Sequence, residues 1–246
     1  MRTLGIPIFL CLVLFHCQFA NADLLDDAEQ SFRSGNHGAA QEKYLDIIQK
    51  NQNKNLGFLL YNVGTVALSK GDAAIAYAYL TKARFADPFD SDILHNQQAA
   101  KMKLSGTAIN AVPSSWISWW PENLRVLPIN LFLTVALLLS SLWLGTILLS
   151  RPQFQVVFAS AFTLSLAILA LQVYQIHTPL AGIVRASTLK SGPGTAFSDI
   201  TKMEPGAIVS FEEARDGWAK LRFRLTGSTE EIVGWLELSS VLPFNS

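Results

Sequence analysis

Thiols and charges are what this sequence has least of. It holds two cysteines, Cys11 and Cys17, both within the first 22 residues. The remainder therefore offers no disulfide, no cysteine nucleophile and no cysteine-based metal site. Charged residues make up only 15% of a chain that is half hydrophobic, where soluble domains carry about a quarter. The deficit is local: no charge lies between Arg125 and Arg151, and none between Arg151 and Arg185. No surplus of either sign exists elsewhere. Residues 23–110 carry nine Lys/Arg and ten Asp/Glu, and residues 178–246 carry seven and eight. Neither part has the basic surface that nucleic-acid binding needs. The histidines, His16, His37, His95 and His177, are widely scattered and suggest no metal or catalytic cluster.

The charge-free stretch is filled by two apolar runs. Residues 128–149 (PINLFLTVALLLSSLWLGTILL) and 156–176 (VVFASAFTLSLAILALQVYQI) each reach the roughly 20 residues that cross a bilayer. They predict a transmembrane hairpin joined by a short turn at 150–155. A buried hairpin of a soluble protein is the alternative, but so long a run is hard to cover in a chain of 246 residues. Ahead of it, Arg2, the apolar run from Leu4 to Phe15 and the small-residue site at 20–22 (ANA) predict a secretory signal peptide over 1–22. Lipidation at Cys17 is the competing reading, set against bulky Phe15 and His16 before it. Export from residue 23 plus two spans places both soluble parts outside the cytoplasmic (inner) membrane. Arg151 then faces the cytoplasm, as the positive-inside rule prefers.

Residues 105–127 form a linker with Trp116, Trp119 and Trp120, suited to the water–lipid interface of the bilayer. Ala159, Thr163 and Ala167 make a small-residue stripe on the second span, and Ser141 and Gly145 a notch on the first. Such faces let helices approach closely, within the hairpin or against another membrane protein.

Residues 23–104 contain an internal repeat. Setting Gly35 on Gly71 matches Ala28 with Gly64, Phe32 with Leu68, Ala40 with Ala76, Tyr44 with Leu80 and Ile47 with Ala83. Each copy reads helix–turn–helix, with Gly35-Asn36 and Gly71-Asp72 as breakers, and Pro88 ends the second. Residues 91–104 restart the pattern, Asn96 standing where Asn62 stood, and read as a capping helix. The second copy, with Tyr61-Asn62-Val63-Gly64, Gly71, Ala76, Ala83 and Pro88, resembles the tetratricopeptide repeat. That resemblance implies a concave peptide-binding face bearing Phe58, Tyr61, Thr65, His95 and Ala99. Ordinary packing is the competing reading for each.

Residues 180–244 change period. Trp218, Lys220, Arg222 and Arg224 alternate with Ala219, Leu221, Phe223 and Leu225, which is strand spacing. Asp216-Gly217 and Thr226-Gly227-Ser228 read as hairpin turns. Several short strands in so few residues predict a small barrel. Ser191-Gly192-Pro193 and Gly234-Trp235 resemble marks of bacterial SH3 domains, which bind rather than catalyse. Phe197, Trp218 and Trp235 are the candidate ligand groove for wall glycan or peptide, with core packing as the alternative. Glu212, Glu213 and Asp216 read as solvated edge charges.

The expected fold is thus a multidomain membrane protein: an α-helical tetratricopeptide-repeat domain, a transmembrane hairpin and a small all-β SH3-like barrel. This order resembles the BatE-like proteins of the Bat (Bacteroides aerotolerance) group. The resemblance implies no catalytic residue and no cofactor, and a stress-tolerance setting beside membrane proteins with von Willebrand A domains. The residues themselves support an adaptor for other membrane or periplasmic proteins. A non-catalytic targeting subunit of a cell-wall enzyme and a membrane sensor are the rival readings.

Overall fold

The computed structural model describes residues 24–50, 56–104, 111–113, 129–149, 152–176, 179–225 and 228–244. The expected signal peptide 1–22, the tryptophans at 116, 119 and 120, Arg151, and Thr226 and Gly227 of an expected turn lie outside them. The chain forms two compact units, the first helical and the second containing the apolar helices and the sheet.

The helical unit comprises α1 (24–33), α2 (His37–Lys50), α3 (Leu56–Lys70), α4 (Ala73–Ala86) and α5 (Ser91–Leu104). Its two helix pairs turn in the same way. Gly35 and Gly71 sit at φ of 79° and 87°, where a side chain would be strained. Asn36 N–H donates to the Ser31 carbonyl and Asp72 N–H to the Ala67 carbonyl, both at 2.9 Å. This five-residue back-bond satisfies helix-end carbonyls at each glycine stop. The matched small residues Ala28, Ala40, Gly64 and Ala76 are all buried. They let the helices approach, and at Gly64 the approach is so close that a Cβ would lie 2.6 Å from Leu80 Cγ. Ala28, Ala40, Tyr44, Ile47, Leu59, Val63 and Val66 form one core cluster; Leu60, Ala83 and Ile93 form a second. Asp90 starts α5 by accepting the amides of Asp92 and Ile93 at 2.8 and 3.0 Å, an N-terminal cap.

The second unit begins with a three-residue strand, β1 (Ala111–Pro113). Two helices follow: α6 (Ile129–Leu148, 20 residues) and α7 (Pro152–Ile176, 25 residues). Both are long and apolar enough to cross a membrane. The second starts at Pro152, not at 156 as expected, so the turn is shorter than 150–155. Proline suits the first helical position because the N–H it lacks has no partner there anyway. The helices meet through Ala136, Trp143 and Thr146 on one side and Phe162, Ser165 and Gln172 on the other. The Trp143 and Phe162 rings stack at 5.9 Å. Thr146 and Ser165 donate to carbonyls of their own helices at 2.7 Å, so their hydroxyls are buried satisfied. The small-residue stripe is not this interface. Thr163 and Ala167 are exposed, and nothing comes within 4 Å of a Cβ built on Gly145.

The remaining strands are β2 (Leu180–Ile183), β3 (Ser187–Lys190), β4 (Asp199–Met203), β5 (Ile208–Arg215), β6 (Trp218–Leu225), β7 (Glu231–Glu237) and β8 (Val241–Pro243). They pair in the order β4-β3-β7-β6-β5-β2-β8. Ile183, Leu189, Val209, Ala219, Leu221, Phe223 and Leu236, from across that order, are fully buried, so the sheet bends around one core. Asp216 and Gly217, at φ of 50° and 80°, make the two-residue β5–β6 hairpin that this dipeptide favours.

β5 is shared. Its first residues pair with β2 (Val209 with Ala181) and its later ones with β6 (Arg215 with Trp218), with a register shift between Phe211 and Glu213. β6 therefore loses β5 beyond Arg222. There β1 takes over in register, Pro113 facing Phe223, Val112 facing Arg224 and Ala111 facing Leu225. Part of the segment expected to be linker throughout 105–127 is thus a strand of the sheet.

Candidate functional site

The expected groove residues separate into two groups. Helix α3 carries Phe58 exposed and Tyr61 and Thr65 half-buried at helical spacing, Tyr61 packing against the second core cluster, while Leu59, Leu60, Val63 and Val66 turn inward. Phe58 and Tyr61, with Leu56 and Gly57, line a cleft of about 390 Å³. Its far wall is Ala86, Asp87, Asp90, Asp92 and Ile93 from the α4–α5 junction. An aromatic floor with a carboxylate rim has the chemistry that suits a long cationic side chain, through ring contact and charge together. Among the described residues no three His, Cys, Asp or Glu are placed to hold a metal ion.

Tyr61 is fixed from α5. Asn96 Nδ2 donates to Thr65 Oγ1 at 3.1 Å and to the Tyr61 hydroxyl at 3.3 Å. Asn96 was absent from the expected groove, although its alignment with Asn62 was a signal that it is special. His95 and Ala99 do not line the cleft; His95 is exposed and Ala99 half-buried. A polar link also joins α4 to α5: Gln97, 8% exposed, donates to Thr81 at 2.9 Å and accepts from Arg84 at 3.2 Å.

The three aromatic candidates on the sheet do not form one surface. Phe197 is 47% exposed and packs on Gly192, where a Cβ would run into its ring. This explains the glycine of Ser191-Gly192-Pro193. Trp218 is half-buried. Trp235 is only 9% exposed. Its cross-strand neighbours are Lys190 on β3 and Lys220 on β6, each ion-paired outward, to Asp199 at 2.6 Å and to Glu212 at 3.1 Å. Lysine stems beside an indole cover it while their charged ends stay wet. Gly234 before it leaves space for Leu189, whose Cδ2 would stand 2.7 Å from a Cβ there. The Gly-Trp pair is thus packing.

The outer face of β6 is a charge ladder. Arg222 binds Glu212 and also Glu231, the latter at 3.3 Å, and Arg224 reaches Glu231 at 3.4 Å. Burial pushes the Glu212 carboxyl up, but hydrogen bonds from Arg222 and Lys220 and their charges outweigh it and hold it below the usual range. Glu212 is thereby a paired structural group and not the solvated edge charge expected.

No protein-family model matches this chain, and no curated protein matches it.

Proposed function

We propose that the protein is a membrane-anchored extracytoplasmic adaptor whose helical unit holds a partner segment. The observation that carries this reading is the cleft of Phe58 and Tyr61 rimmed by Asp87, Asp90 and Asp92. Matching glycine turns and matched buried small residues support a tetratricopeptide-type stack, and the bent sheet with its Ser191-Gly192-Pro193 turn supports an SH3-like barrel. Leu137, Leu142, Leu144 and Val156 are 67%, 52%, 55% and 72% exposed. Burying such a side chain is worth about 1.5–3 kcal/mol, which favours lipid as the surrounding of α6 and α7. The pairing of β1, before these helices, with β6, after them, supports a return to the side of departure. Domain order like that of the BatE-like proteins makes membrane proteins with von Willebrand A domains, in a stress-tolerance complex, the partners to look for first.

The test is affinity capture from detergent-solubilised membranes, with captured proteins identified by mass spectrometry. Phe58→Ala with Tyr61→Ala should lose the partner about thirtyfold, the loss expected of an interface anchor worth about 2 kcal/mol. Asp87→Asn with Asp92→Asn, at exposed positions, should weaken capture without touching the aromatic floor. Undiminished recovery by both folded variants would place the interface elsewhere.

A further inference from the structure

The edge of β6 over Phe223–Leu225 is an interaction surface, and its occupant in this structure is the chain's own Ala111–Pro113. On its other side β6 is paired throughout with β7, from Trp218 with Glu237 to Arg224 with Glu231. On this side β5 covers it only to Arg222. The uncovered edge thus falls on the backbone of Arg224, which lies between Phe223, whose side chain is fully buried, and Leu225, whose carbonyl accepts the Ser228 amide on the other side. Bare amides and carbonyls beside a core residue either find a strand or pay in unmet hydrogen bonds. The strand they find is distant in sequence, because α6 and α7 intervene.

We propose that residues 111–113 are a strap acting in cis. They complete a sheet built mostly after the apolar helices, clamp together the chain entering and leaving that hairpin, and close an edge that accepts extended peptide. Removing the strap converts the edge into a site for strand addition, in which main-chain hydrogen bonds supply affinity. This does not depend on what the helical unit binds.

Full-length protein in membranes, with Cys11 and Cys17 changed to serine, tests the strap. Facing residues in adjacent strands have Cβ atoms about 4.5–5.5 Å apart, close to disulfide geometry. Val112→Cys with Arg224→Cys, or Ala111→Cys with Leu225→Cys, should link on mild oxidation within one chain, at monomer mass. The out-of-register pair Val112→Cys with Leu225→Cys should link at least tenfold less. Dimer-mass links alone would mean that the strand is exchanged between copies, and no link in either register pair would remove it from the edge; both overturn the proposal. In a variant with residues 110–114 replaced by Gly and Ser, the amide of Arg224, which faces Val112, should exchange with solvent at least tenfold faster. A synthetic peptide of residues 109–115 (INAVPSS) should restore its protection. Unchanged exchange in the variant would also overturn it.

Discussion

Gly64 and Gly38 are both helical glycines, and replacing each by alanine should have opposite effects. Alanine gains up to about 1 kcal/mol over glycine in a helix. At Gly38 nothing lies within 4 Å of the new methyl, so Gly38→Ala should keep part of that gain. At Gly64 the methyl would meet Leu80 at 2.6 Å, and the Leu80 backbone nitrogen at 3.3 Å limits retreat. Overpacking costs about 1–3 kcal/mol, so Gly64→Ala should be a net loss of roughly 1 kcal/mol. Pulse proteolysis of the helical unit in urea reads both; a stabilised Gly64→Ala would mean that α3 and α4 are less closely packed. The pairing of Gly64 with Ala28 was legible in sequence because small residues recur where helices touch. The role of Asn96 was not, since a bridge to Tyr61 and Thr65 depends on how α5 lies against α3. Which of the two readings of Trp235 holds was not legible for a related reason: its cover comes from lysines on two other strands.

At the scale of elements, strands β5 to β7 were legible because apolar and polar residues alternate, and the Asp216-Gly217 turn because few dipeptides accept two positive φ angles. The small-residue stripe of α7 was legible as a stripe but not by direction, since composition does not say which face meets α6. The β5–β6–β7 ladder makes a pH prediction. Glu212 titrates lower folded than unfolded, so its contribution is full above the ordinary carboxylate value and is lost as pH falls through the lower folded value. The group is partly exposed, at 23%, and such pairs contribute about 1 kcal/mol or less. Between about pH 5 and 3, near-ultraviolet circular dichroism should show the melting temperature of the sheet falling by a few degrees more in the native protein than in Glu212→Gln. Equal slopes would assign the acid sensitivity to other carboxylates.

For the whole molecule, the apolar hairpin was legible from length and absence of charge alone, whereas the β1–β6 pairing left no local trace in three residues (AVP). Sidedness is open to direct measurement. On the proposed topology, alkaline phosphatase fused after Lys103 or after Ser246 is active, and a cytoplasmic reporter inserted at Gln153 is active. Opposite sidedness of the two end fusions would contradict an adaptor with both units in one compartment. The β1–β6 ladder also sets a timetable for biogenesis. Ala111–Pro113 leaves the ribosome before either apolar helix, yet its partner Phe223–Leu225 is synthesised only after both. At 5–20 residues per second the early strand waits roughly 5–20 s, and it must stay unpaired while the two apolar helices are made. Closure of a loop that long is slow, so the sheet would be the last part of the protein to mature. On the proposed topology, a periplasmic chaperone acting on this chain would have its window there, between insertion of the second helix and docking of the first strand.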